Sequence, residues 1–187
     1  HRTFDCPHGE GLELADLNGN GRLDAVIGGR WYENPGDVLE GEWKEHLYMP
    51  TEHFERCWTN GDVVAKTGDL NGNGRLDIVL SPAEGQGRLA WFEAPEDPGD
   101  GEWIEHVIDA DYEFAHGMAI GDVDGDGYAD IVAGARTACS IEVYNNRENG
   151  FDLNQSISYA TAHAWYLYAD DLDSDGHLDI LSASEVD

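Results

Sequence analysis

One nine-residue pattern occurs four times in this chain and limits what it can fold into. The copies are Asp16-Leu17-Asn18-Gly19-Asn20-Gly21-Arg22-Leu23-Asp24, Asp69-Leu70-Asn71-Gly72-Asn73-Gly74-Arg75-Leu76-Asp77, Asp122-Val123-Asp124-Gly125-Asp126-Gly127-Tyr128-Ala129-Asp130 and Asp171-Leu172-Asp173-Ser174-Asp175-Gly176-His177-Leu178-Asp179. Their first aspartates are 53, 53 and 49 residues apart. A repeat of about fifty residues signals stacked supersecondary units, none of which buries its apolar face alone. Side-chain oxygens recur at positions one, three, five and nine, with glycines between them that allow the loop to fold back. A hard cation such as calcium takes six to eight oxygens at about 2.3–2.6 Å, which alternate residues of a tight loop can supply. Position seven (Arg22, Arg75, Tyr128, His177) is expected to contribute its backbone carbonyl, so its side chain is free to vary. Asp and Asn also form metal-free turns unaided. Four copies with carboxylates at matching offsets favour metal, up to four Ca2+, one per loop.

An EF-hand starts in the same way but needs a bidentate Glu at position twelve and flanking helices. Position twelve here is Ile27, Leu80, Ala133 and Ser182. Each ninth-position Asp instead enters a β-rich run such as Ala25-Val26-Ile27 or Ile78-Val79-Leu80, so the loops are expected to join strands.

The first three units each read as four short strands. The first has Gly11–Ala15, Leu23–Gly28, Arg30–Glu33 and Trp43–Met49; the second has Asp62–Thr67, Leu76–Leu80, Arg88–Glu93 and Trp103–Ile108. The third has Gly117–Ile120, Ala129–Ala133, Ser140–Tyr144 and Phe151–Ser156. Trp31-Tyr32-Glu33-Asn34-Pro35 matches Trp91-Phe92-Glu93-Ala94-Pro95, and Trp43 and His46 match Trp103 and His106. These aromatic and histidine positions are expected to pack between units. Four-stranded units at this period predict an all-β β-propeller. The expected division is a blade tail over 1–7, blades over 8–58, 59–112 and 113–160, and a half blade over 161–187. Three and a half blades do not close, so the chain reads as a fragment of a larger ring.

The chain has 39 Asp and Glu against 10 Lys and Arg, a net charge of −29, and four calcium ions would still leave −21. Such a surface repels nucleic acid and anionic membranes. Lysine is confined to Lys44 and Lys66. That composition suits either a salty habitat, where ions screen self-repulsion, or an acidic secreted protein that needs calcium. Cys6, Cys57 and Cys139 have no metal spacing. A Cys6–Cys57 bridge between units and buried free thiols both remain open. No run is long enough to span a membrane, so no membrane insertion is expected, and no signal segment begins at His1; the native start is expected elsewhere.

Gly121-Asp122-Val123-Asp124-Gly125-Asp126-Gly127-Tyr128-Ala129-Asp130-Ile131-Val132-Ala133-Gly134 resembles the calcium loop of FG-GAP repeats, and the whole set is similar to the FG-GAP/VCBS-type repeat family. That resemblance implies a seven-bladed, extracellular or cell-surface calcium-binding propeller. It does not determine function, because relatives include adhesion modules, polysaccharide lyases and sugar dehydratases.

In a propeller the first strand of each blade lines the channel, and the metal loop ends that strand. Residues six to eight positions before a loop then lie on the opposite face, roughly 20–25 Å away. His8, His116 and His163 are so placed, with Arg56 on the Pro50–Asn60 connection and Tyr112 expected beside them. Together these could bind an acidic sugar and move a proton. A polar, solvated channel mouth needs no chemistry, however. The sequence therefore favours a ligand-binding or scaffolding module for a polysaccharide or surface protein, over a lyase-type enzyme or a structural adhesion repeat.

Overall fold

A computed structural model describes residues 11–58, 61–135, 140–147, 150–158 and 163–185. The first sheet contains β1 (Glu13–Ala15), β2 (Asp24–Ile27), β3 (Arg30–Glu33) and β4 (Lys44–Leu47). A helix, α1 (Thr51–Cys57), follows. The second sheet contains β5 (Val63–Gly68), β6 (Asp77–Pro82), β7 (Gln86–Glu93) and β8 (Ile104–Glu113). The third contains β9 (Met118–Gly121), β10 (Asp130–Ala135), β11 (Ser140–Arg147) and β12 (Gly150–Ser158). Two further strands, β13 (His163–Asp170) and β14 (Asp179–Glu185), pair with each other.

Every pairing is antiparallel, and each four-stranded sheet runs in simple sequence order. Each nine-residue loop joins the first strand of its sheet to the second, with the flanking residues paired as in Ala15↔Asp24 and Gly68↔Asp77. The first strands β1, β5, β9 and β13 follow one another in contact, as the inner strands of successive propeller blades do. The chain is an all-β propeller segment.

Apolar side chains between adjacent sheets hold the blades together. Trp31, Trp58, Val63, Ile78, Leu80 and Phe92 form one layer between the first two sheets. Val79, Leu89, Tyr112, Met118, Ile131 and Tyr144 form the next. Burying one large side chain of this kind contributes about 1.5–3 kcal/mol. Two glycines allow neighbouring blades to approach closely. A Cβ on Gly68 would lie 2.9 Å from Ile120 Cγ2, and one on Gly121 would lie 2.5 Å from Leu178 Cδ1.

The Pro50–Asn60 connection, for which no element was expected, contains the helix α1. Phe54, Cys57 and Trp58, at helical spacing, are buried, and Phe54 and Trp58 stack at 5.8 Å. Placing these three on one face between two sheets outweighs the cost of so short a helix. Cys57 is a buried free thiol, and Cys6 and Cys139 lie outside the described residues.

Candidate metal loops and the channel cavity

The four loops fold alike because each first-position aspartate gathers the loop's own backbone. Its two oxygens accept the N–H groups of positions five and six. The bonds are Asn20 N to Asp16 Oδ1 (2.9 Å) and Gly21 N to Asp16 Oδ2 (2.7 Å) in the first loop. They recur at Asp69 (3.0 and 2.8 Å), Asp122 (3.0 and 2.9 Å) and Asp171 (3.0 and 2.9 Å). Asn18, Asn71, Asp124 and Asp173 each accept the N–H two residues on. Position five does the same: Asn20, Asn73, Asp126 and Asp175 each receive the N–H of position seven (Arg22, Arg75, Tyr128, His177).

The ninth-position aspartates do more than their spacing suggests. Asp24, Asp77 and Asp130 are fully buried, and each spans two elements. Asp77 accepts Leu70 N (3.0 Å) from its own loop and Ala94 N (2.8 Å) from the chain leaving β7. Asp24 does so with Leu17 and Asn34, and Asp130 with Val123 and Asn146. Burial pushes all three carboxyls up, Asp77 to about 6. Asp179 is exposed, and its Oδ2 accepts Leu172 N (3.1 Å).

The donor sets suit a hard divalent cation in two loops above all. One carboxylate oxygen from each of Asp122, Asp124 and Asp130 lie within 4.8 Å of one another, as do those of Asp171, Asp173 and Asp175. Converging like charges this closely is costly unless a cation sits among them. In the third loop part of that role falls to Arg147 at the end of β11, whose guanidinium donates to Asp124 Oδ2 (2.6 Å) and Asp126 Oδ2 (2.7 Å). That bond holds the Asp124 carboxyl below the usual range. The position-seven arginines act differently: Arg22 Nε donates to Asn34 O and Arg75 Nε to Ala94 O, locking each loop to the end of the third strand. Asn146 ties neighbouring loops together, donating to Leu70 O (2.6 Å) and Ala129 O (3.1 Å).

Of the proposed channel-mouth residues, neither Arg56 nor Tyr112 lines the cavity that His116 faces. His116 faces a cavity of about 430 Å³ between the inner strands, with Lys66, Glu84 and Trp165. Its Nε2 lies 3.1 Å from Glu84 Oε1, and its ring is 4.2 Å from that of Trp165. Arg56 is elsewhere. It lies on α1 and donates to His53 Nδ1 (3.1 Å), while His53 Nε2 lies 2.7 Å from Glu105 on β8. Tyr112 is buried, because β8 runs on to Glu113 and pairs it with Gly87, edge-on to Tyr144 at 6.3 Å. Burial pushes its phenol up, so it is no titrating group of a channel mouth. His8 lies outside the described residues, and of His163 only the backbone opening β13 is described.

Fold and loops together define a propeller whose blades each carry an acidic loop between their first two strands. Residues 69–133 match the FG-GAP-like repeat, which supports an FG-GAP repeat family for this chain. It is 26% identical over 160 residues to integrin alpha-IIb of Mus musculus, covering 73% of this chain and 15% of that protein. It is 25% identical over 182 residues to integrin alpha-PS2 of Drosophila melanogaster, covering 82% of this chain and 13% of that protein. The chain thus spans about one seventh of the length of these relatives. No helix among the described residues is long and apolar enough to cross a membrane.

Proposed function

We propose that this chain is part of an extracellular, calcium-stabilised β-propeller that serves as a binding module for partner proteins or polysaccharide. The observation that carries the reading is the convergence of three carboxylates in the third loop and three in the fourth, on a backbone cradle repeated in all four. Positions one, three, five and nine of each loop would hold the ion through their side chains, and position seven through its carbonyl. Calcium bound there supplies no chemistry; it neutralises the cluster and rigidifies the turn between first and second strands. The similarity to integrin alpha chains supports a surface-exposed binding role.

Calorimetry with calcium and with chelator tests this, since an ion that binds only the folded state raises its stability by mass action. The melting temperature is expected to fall on chelation. An unchanged value overturns the metal assignment. A second reading, a small-ligand site in the channel, is supported by His116 against Trp165 and Glu84. Screening anionic oligosaccharides against wild type and His116→Ala tests it. Unsaturated products lost in the variant favour a lyase, and binding without turnover favours the module.

A further inference from the structure

The first two blades carry the same trio of side chains, and only one trio is covered. In the first blade, Trp31 and His46 stack with ring centroids 4.2 Å apart, and His46 Nε2 lies 3.2 Å from Glu33 Oε2. In the second, Trp91 and His106 stack at 4.1 Å, and His106 Nε2 lies 3.0 Å from Glu93 Oε2. A turn from the next blade seals the first trio. His46 Nδ1–H donates to Gly99 O (2.9 Å), the turn closes through Gly101 N to Asp97 O (2.7 Å), and Trp103 Nε1 donates to Pro98 O (3.1 Å). Trp103 also packs on Tyr48 at 5.8 Å. The His46 side chain is left 5% exposed.

Among the described residues, the third blade supplies no such turn. Ten residues, 94–103, connect β7 to β8, whereas only 148 and 149 connect β11 to β12, with Arg147 paired to Gly150. The His106 side chain is consequently 40% exposed, and its Nδ1 has no partner among the described residues. Phe151 meets one edge of Trp91 at 6.5 Å. A cleft of about 800 Å³ remains, lined by Trp91, His106, Ile108, Tyr128, Arg147 and Phe151.

We propose that this cleft between the second and third blades receives a tight polypeptide turn of a partner protein. The turn's backbone carbonyl would accept from His106 Nδ1–H, and a following aromatic ring would lie over Ile108, as Trp103 lies over Tyr48. The template is the chain's own Asp97–Trp103 segment on the preceding blade. This inference rests on reading the module as one that binds proteins.

The test uses a cyclised peptide of the Asp97–Trp103 sequence, titrated into the calcium-loaded full chain and followed at the histidine ring nitrogens by NMR. The His106 signal is expected to shift saturably while that of His46 stays in place, and replacing the peptide's Trp with Ala should abolish the shift. In a second variant the sequence of residues 94–103 replaces 148–149, so that the protein caps its own cleft. This variant should keep its melting temperature and lose at least tenfold in peptide affinity. No His106 shift up to the peptide's solubility limit, or undiminished binding by the capped variant, overturns the proposal. So does a neutral oligosaccharide that shifts His106 where the peptide does not. If the peptide fails while chelation still lowers the melting temperature, docking is lost and the calcium reading stands.

Discussion

At the scale of single residues, Arg147 and Asp77 carry the most testable consequences. The four carboxylates of the third loop alone would make it a tight site, since ligand charge raises affinity. Arg147 already donates to two of them, so a calcium ion entering this loop would compete with a guanidinium. Arg147→Gln is therefore expected to tighten calcium binding at this loop several-fold, as read by isothermal titration. Unchanged affinity would show that the arginine coexists with the ion. Each Asp77 oxygen accepts a backbone N–H, so an amide NH2 in place of either oxygen would face a donor. Asp77→Asn is expected to cost about 1–3 kcal/mol, the penalty for leaving a buried donor unsatisfied. The pH dependence follows from its carboxyl lying near 6 in the fold against an ordinary 3.8. The folded, calcium-free protein binds that proton more tightly than the unfolded chain. Its contribution is complete below about 4 and is lost as pH rises through 6. Saturating calcium should reverse the slope, because the ion needs the ionised carboxylate. Melting curves of wild type and variant between pH 4 and 7, with and without chelator, check both signs.

At the scale of elements, the fourth loop and α1 are the informative cases. Position four of the first three loops is glycine with positive φ (70° at Gly19, 71° at Gly72, 77° at Gly125). The fourth loop places Ser174 there at φ 64°. A side chain in that region costs about 1–2 kcal/mol, partly offset by the greater freedom glycine has when unfolded. Ser174→Gly should thus stabilise the protein by up to about 1 kcal/mol, and chemical denaturation measures it. In α1, Trp58 is fully buried and donates through Nε1 to Arg88 O (3.0 Å). Trp58→Ala is expected to cost about 3–5 kcal/mol, because the helix cannot collapse into the space left between two sheets.

For the whole molecule, charge is the governing quantity. The net charge of −29 would fall only to −21 with four calcium ions bound, so self-repulsion would persist at full occupancy. Sodium chloride should raise the melting temperature even at saturating calcium, because salt shortens the range over which exposed carboxylates repel. A flat or falling curve would leave the acidic surface without a stabilising role for salt and favour the secreted-protein reading.

The loops, the strands beside them and the stacking of like units were legible in the sequence, because each rests on local chemistry. Asp, Asn and Gly at alternate positions close a turn using their own backbone, and β-rich runs begin at Asp24, Asp77, Asp130 and Asp179. The likeness of Trp31–His46 to Trp91–His106 was equally plain along the chain. That one pair is sealed and the other open was decided by tertiary structure, since the covering Gly99 lies 53 residues from His46. The same holds for Arg147, which reaches carboxylates 21 and 23 residues away, and for Arg56 and Tyr112, which meet His53 and Tyr144 and do not line the cavity that His116 faces. Periodicity determines what a repeat is, but which loop covers which neighbour depends on the lengths of connections that meet only once the blades are stacked.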